Sequence, residues 1–250
     1  MERFLLTLAG IAFFIAAHFI IRKCLVLVWN SALSEASIYV IACRSVSALQ
    51  GAISFIIGAI VAKSCTGDIM KDVHWLTNAY VYFGMPYFLY DLWAMYAYKI
   101  RVHENSYHSL HTIQRIKKFA SSNAMMVAHH LALPAILTPI LLILRADRGD
   151  YFFGVFYMFE IVIPFISARE ILVQLQMKDT RLYFITSISM IVVFFFARLA
   201  IFPFLYYSYA GYANIPFHMV PFYIPVKCKA RRRLRVNYFL FKTLGETKRT

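Results

Sequence analysis

The apolar positions of the chain fall into long runs separated by short charged segments. The runs cover about residues 4–21, 46–62, 78–98, 124–144, 151–172 and 182–206. A helix crosses the hydrocarbon core of a bilayer in roughly 20 apolar residues, so each run predicts a transmembrane helix. Ser45–Ala62 is the weakest of them, being short and interrupted by Gly51 and Gly58. The runs are continuous and do not alternate as the strands of a membrane barrel do. The expected fold is therefore all-α, a polytopic transmembrane helical bundle of about six to seven spans.

Composition agrees. The 250 residues are 61% hydrophobic and 15% charged, with a mean hydropathy of +0.62. Soluble domains carry roughly 25% charged residues, so a soluble, disordered or fibrous chain is excluded. Cys24, Cys43, Cys65 and Cys228 are too scattered for a metal knuckle or a disulfide framework, and no metal site is expected. The net charge of +14 suggests nucleic acid until it is located. Residues 227–250 hold nine Lys/Arg and one Glu, a charge of +8, which leaves +6 for the rest. The chain divides into an N-terminal anchor and linker (1–35), a transmembrane domain (36–226) and a basic tail (227–250). A chain anchored in a bilayer makes nucleic acid a poor partner.

The first run is read as a retained anchor rather than a cleaved leader, because it has no small-x-small cleavage site and Arg22-Lys23 follows it directly. Lys and Arg in short loops favour the cytosol. Ten basic residues, among them Arg22, Lys23, Arg44, Lys99, Arg101, Lys117 and Lys118, fall after spans one, three and five, against five on the other side. The N-terminus is thus expected in the lumen and the 99–123 loop in the cytosol. Six spans would leave the basic 227–235 segment on the lumenal side, against the rule. Either residues 212–226 re-enter the membrane or a last span is missing from this chain.

Ionisable residues inside the spans carry the most information. Each costs at least ~2.5–3.5 kcal/mol at the bilayer centre and normally faces the bundle interior or water. They are Asp91, His129, His130, Glu160 and Arg198. At 1.5 Å per residue, Asp91 and His130 both lie roughly 10 Å below the cytosolic end of their spans. A carboxylate beside an imidazole is the arrangement of a general base and its orienting acid. Adjacent helix positions point ~100° apart, so one of His129 and His130 faces a cavity while the other packs against a helix. Glu160 and Arg198 pair plausibly, for folding or for function.

Pro134 and Pro164 each free the carbonyl four residues earlier, those of His130 and Glu160. This suggests an internal wet pocket, although prolines are also common in membrane helices. Tyr87 and Tyr98 share the stripe of Asp91 and either line that pocket or pack. The basic stretch His103–Lys118 reads as a surface facing anionic headgroups. The run Arg231–Arg235 binds headgroups or serves as a trafficking signal.

Met125-Met126-Val127-Ala128-His129-His130, the turn Arg145-Ala146-Asp147-Arg148-Gly149-Asp150, and Gly154…Glu160…Pro164-Phe165 resemble the TLC domain family, which includes the ceramide synthases. His74-Trp75, Tyr90-Asp91 with Ala94-Met95-Tyr96, and Phe202-Pro203-Phe204 look most like its TLC domain-containing protein 3 subgroup (family with sequence similarity 57). The resemblance implies helices around a central cavity, residence in the endoplasmic reticulum and handling of long-chain lipids. It also implies that His129 and His130 correspond to the paired histidines with which ceramide synthases join a fatty acyl-CoA to a sphingoid base. No cofactor is implied, acyl-CoA being a co-substrate. On that reading Asp91 and Glu160 complete the catalytic set, Tyr87, Tyr98 and Arg198 contact substrate, and Lys117 and Lys118 meet the phosphates of acyl-CoA. Ceramide synthases also carry a His-Asp and a further acid in the next helix, where this chain offers only Glu160. A non-catalytic protein that binds lipid and regulates membrane lipid homeostasis is the alternative. Membrane lipids are the expected partners under both, with homo- or hetero-oligomers left open.

Overall fold

The computed structural model describes residues 1–29, 32–102, 107, 109–145, 148–214 and 216. The basic tail, His103, His108 and the re-entrant or missing span therefore lie outside the described residues. The described residues fall into two units that divide after Arg198. The first holds α1 (Glu2–Trp29), α2 (Glu35–Ser64), α3 (Trp75–Gly84), α4 (Pro86–Val102), α5 (Thr112–Ser122), α6 (Ala124–Pro139), α7 (Asp150–Met158), α8 (Val162–Gln174) and α9 (Arg181–Phe194). In the second, α10 (Ile201–Ala213) is described. Five stretches are long and apolar enough to span a membrane: Glu2–Trp29, Glu35–Ser64, Ala124–Leu144, Asp150–Gln174 and Arg181–Ala213. The protein is an integral membrane helical bundle.

Local chemistry sets the helix ends. Ser34 caps α2, its hydroxyl accepting from the Ser37 amide at 3.1 Å, and Thr180 caps α9 in the same way from Tyr183 at 3.3 Å. The expected span 78–98 is two helices, because Pro86 lacks the amide that would continue α3 and instead opens α4. The 151–172 run is likewise divided by a tight turn at Phe159–Ile161, which carries Glu160. Arg44, assigned to a loop from sequence, lies inside α2.

The weakest run turns out to be the hub. α2 extends to 30 residues and packs against α1, α3, α4, α7 and α8. Its glycines make this closeness possible. A Cβ on Gly58 would stand 2.4 Å from the Gly154 carbonyl, and one on Gly51 would stand 2.7 Å from the Glu160 carbonyl. Lipid gives little hydrophobic drive for helix association, so small residues that let backbones approach supply the contact. The Ser54 hydroxyl seals the crossing by donating to the Tyr157 carbonyl at 3.1 Å. Two buried clusters flank it. Phe14, Val46, Tyr87, Tyr90 and Ala94 join α1, α2 and α4, while Tyr80, Val81, Leu141 and Tyr157 fill the other end.

At that other end, α7 and the 65–74 loop are clasped by one arginine. Arg145 pairs with the fully buried Asp150, donates to Asn78 Oδ1 at 2.6 Å and to the Leu141 carbonyl at 2.7 Å, and lies over the Phe153 ring. Asp150 also accepts from the His74 amide at 2.9 Å. Gly149, at φ +73°, makes the turn into α7 and donates to the Met70 carbonyl. On the loop, Asp68 accepts from Lys71, which holds its carboxyl below the usual range.

Candidate functional site

The site is built on α6, where neighbouring histidines take different environments. His130 is buried, and its Nε2 lies 3.3 Å from Asp91 Oδ2 on α4, within ion-pairing distance. The helix rise had placed these two groups at one depth, and helix packing brings them face to face. The Tyr87 hydroxyl turns toward the same carboxylate. The His130 ring also meets Phe88, with centroids 5.8 Å apart, and its Nδ1 has no partner among the described residues. His130 is thereby fixed between α4 and α6.

His129 is exposed and points elsewhere. Its ring is nearly perpendicular to that of His130, at 79°. It borders a cavity of about 80 Å3, lined mostly by apolar groups such as Leu133, Leu137, Leu141 and Phe156. Glu160 and Arg198 form one polar part of the wall, with Arg198 Nη2 3.4 Å from Glu160 Oε1. Gln50 and Tyr80 form another, the Gln50 amide donating to the Tyr80 hydroxyl at 3.2 Å. A mostly apolar lining with a few convergent polar groups has the chemical character of a small-molecule site.

The expected single chamber for Asp91 and the histidines is replaced by two cavities. Asp91 opens onto a second one of about 80 Å3, shared with Arg44, Tyr98 and Glu170. The reason is rotational: depth fixes how far along a helix two groups lie, but not which way each one faces. Tyr98 therefore sits on the Asp91 side, whereas Tyr87 is built into the buried cluster with Phe14 and Tyr90. Lys117 and Lys118 are exposed on α5, and the Lys118 ammonium lies 5.0 Å from the centre of the Tyr107 ring. The structure brings Glu160, Arg198 and His129 to one cavity, Asp91 and Tyr98 to the other, and leaves the two lysines on the surface.

Three participants escaped the sequence reading. His18 of α1 is buried, its Nδ1 3.0 Å from the Tyr90 hydroxyl and 3.9 Å from Cys43 Sγ. It is an ionisable residue inside an apolar run, so the rule that picked out Asp91 applies to it equally. Gln50 was passed over because it is uncharged. Glu170 was passed over because it lies one turn from the end of its run.

The TLC domain model matches residues 41–236, most of the chain. The protein belongs to the TLC domain family. The matched region takes in α2 through α10 and both cavities, and with them His129, His130 and Asp91. No solved structure matches this TLC domain protein.

Proposed function

We propose that this TLC domain protein is a lipid N-acyltransferase of the ceramide synthase type, joining the acyl group of a fatty acyl-CoA to the amine of a sphingoid base. One observation carries the reading: Asp91 holds His130 while His129 opens onto a mostly apolar cavity whose polar wall is Glu160 and Arg198. His129 is then the base. It takes a proton from the amine nitrogen as that nitrogen bonds to the thioester carbonyl carbon. When the tetrahedral adduct collapses, the C–S bond breaks and the imidazolium returns the proton to the departing thiolate. The products are an amide and free thiol, and His129 is neutral again. Glu160, on the same wall, stabilises the transient imidazolium, with Arg198 fixing the carboxylate. His130 and Asp91 act by positioning, tying α6 to α4 so that the adjacent imidazole keeps its aim. Acyl-CoA approaches from the face carrying Lys117 and Lys118. Residence in the endoplasmic reticulum and kinship with the TLC domain-containing protein 3 subgroup belong to the same proposal.

Expression in cells lacking ceramide synthases, with ceramides measured by mass spectrometry, tests this. Ceramide should form with the native chain and fall by roughly 10²–10⁴-fold in His129→Ala, the usual contribution of a general base. Background ceramide in both would end the enzyme reading. One observation favours a second reading, in which the cavity holds lipid without turnover: Glu160 is engaged by Arg198, and the further His-Asp of ceramide synthases has no counterpart in this chain. Lipid that co-purifies with a His129/His130 double substitution as well as with the native chain, with no product, would select it.

A further inference from the structure

The second cavity holds charges of both signs that do not close on one another. Arg44 of α2, Asp91 of α4 and Glu170 of α8 share its wall with Tyr98. Arg44 makes no hydrogen bond or ion pair among the described residues. Among the described residues Glu170 accepts only from the neutral Gln174 amide, at 3.3 Å, and Asp91 faces the His130 imidazole. Asp91 is buried and Arg44 and Glu170 are half-buried, where an unpaired charge is costly and opposite charges normally close on each other. Here they share the wall of a cavity of about 80 Å3 instead. Val40, Ala94 and Met95 supply an apolar remainder. Counting from the ends of their helices, Tyr98 and Glu170 are each about 6 Å deep and Arg44 and Asp91 about 14 and 17 Å, from the face that the basic residues assign to the cytosol. The cavity thus runs inward from the depth of lipid headgroups.

We infer that this cavity binds a zwitterionic lipid headgroup carrying a phosphate and a primary ammonium, of the phosphatidylethanolamine class. The phosphate takes the Arg44 guanidinium, whose planar fork matches it, with the Tyr98 hydroxyl donating beside it. The ammonium takes Glu170 and the outer face of Asp91. A primary ammonium is required because carboxylates reward N–H donors, whereas a quaternary ammonium is held by aromatic cages, and here Tyr98 stands alone. This site shares Asp91 with the acyl-transfer reading but does not use His129, and it survives if that reading fails.

Native mass spectrometry of the delipidated full chain, offered single lipids, tests the inference. Phosphatidylethanolamine should be retained at least about tenfold over phosphatidylglycerol, phosphatidylcholine and sphingosine, the worth of one charge-assisted hydrogen bond. Arg44→Gln should weaken phosphatidylethanolamine and phosphatidylglycerol alike and leave sphingosine unchanged. Glu170→Gln should weaken phosphatidylethanolamine and sphingosine and spare phosphatidylglycerol. Arg44→Lys, which keeps the charge but loses the fork, should fall between native and Arg44→Gln, and it serves if the glutamine variant does not fold. His129→Ala should retain the lipid, which separates this outcome from any loss of acyl transfer. Equal retention of all four lipids, or no crossed pattern between the two charge variants, would overturn the assignment. So would soluble phosphoethanolamine binding as tightly as the lipid.

Discussion

Two arginines of the same bundle behave in opposite ways. Arg145 is surrounded: Asp150, Asn78 and the Leu141 carbonyl take its donors, and Phe153 takes its face. Arg44 shares a cavity with two carboxylates and closes on neither. The first is a charge used to build, since every polar group removed from water is repaid by a partner. The second is a charge held open, at a cost that folding alone does not justify. The histidines repeat the contrast one residue apart, His130 packed against Asp91 and His129 facing empty space. Asp150 and Arg145 meet to maintain the fold, whereas Arg44 and His129 are the groups on which the two proposals rest.

Substitutions at the two arginine sites put this contrast under test. The largest effect is expected for Asp150→Ala, which strands the Arg145 guanidinium in a buried site. About 3–5 kcal/mol of stability should be lost, read as a steep fall in Tm in detergent. A shift as small as that of a surface variant would refute the building role. At the histidines, His130→Ala should lower both Tm and turnover, whereas His129→Ala should abolish turnover and leave Tm near native. Parallel losses in the two variants would erase the distinction. Gly58→Ala probes the hub on which both regions rest. Its methyl would meet the Gly154 carbonyl, and overpacking of this kind costs about 1–3 kcal/mol. Arg44→Gln should change stability by under about 1 kcal/mol or raise it, because no folded-state partner is lost. A collapse comparable to that of Asp150→Ala would make Arg44 structural too.

The smallest effect concerns the exposed loop. Lys71 depresses the Asp68 pKa, so the pair contributes above the ordinary carboxylate pKa and its contribution fades as pH falls through the lowered value. Lys71→Ala should leave Tm at neutral pH almost unchanged and slightly flatten its decline below about pH 4.

Much of this was legible in the chain. The bundle followed from run length, and the meeting of Asp91 with His130 followed from helix rise, since distance along a helix is a linear function of residue number. Other features ran against the sequence signal. Gly51 and Gly58 lowered the apolar score of α2 because they lack side chains, and for that same reason they let α7 and α8 come close enough to make α2 the hub. Pro86 sits inside an apolar run that reads as one span, and the break appears only when its missing amide is counted. His18 could have been found by the rule already in use.

The sequence by itself determined that the chain lives in a bilayer as an all-helical bundle and roughly how deep each buried charge lies, because solvent and helix pitch act on every residue alike. The tertiary structure alone decided which way those charges face: Asp91 away from His129, Arg44 toward Glu170 without touching it, Arg145 into a closed clasp. Rotation of a helix about its axis is set by what packs against it, and the packing of α2, α4, α6 and α8 is a property of the assembled bundle that no single run contains.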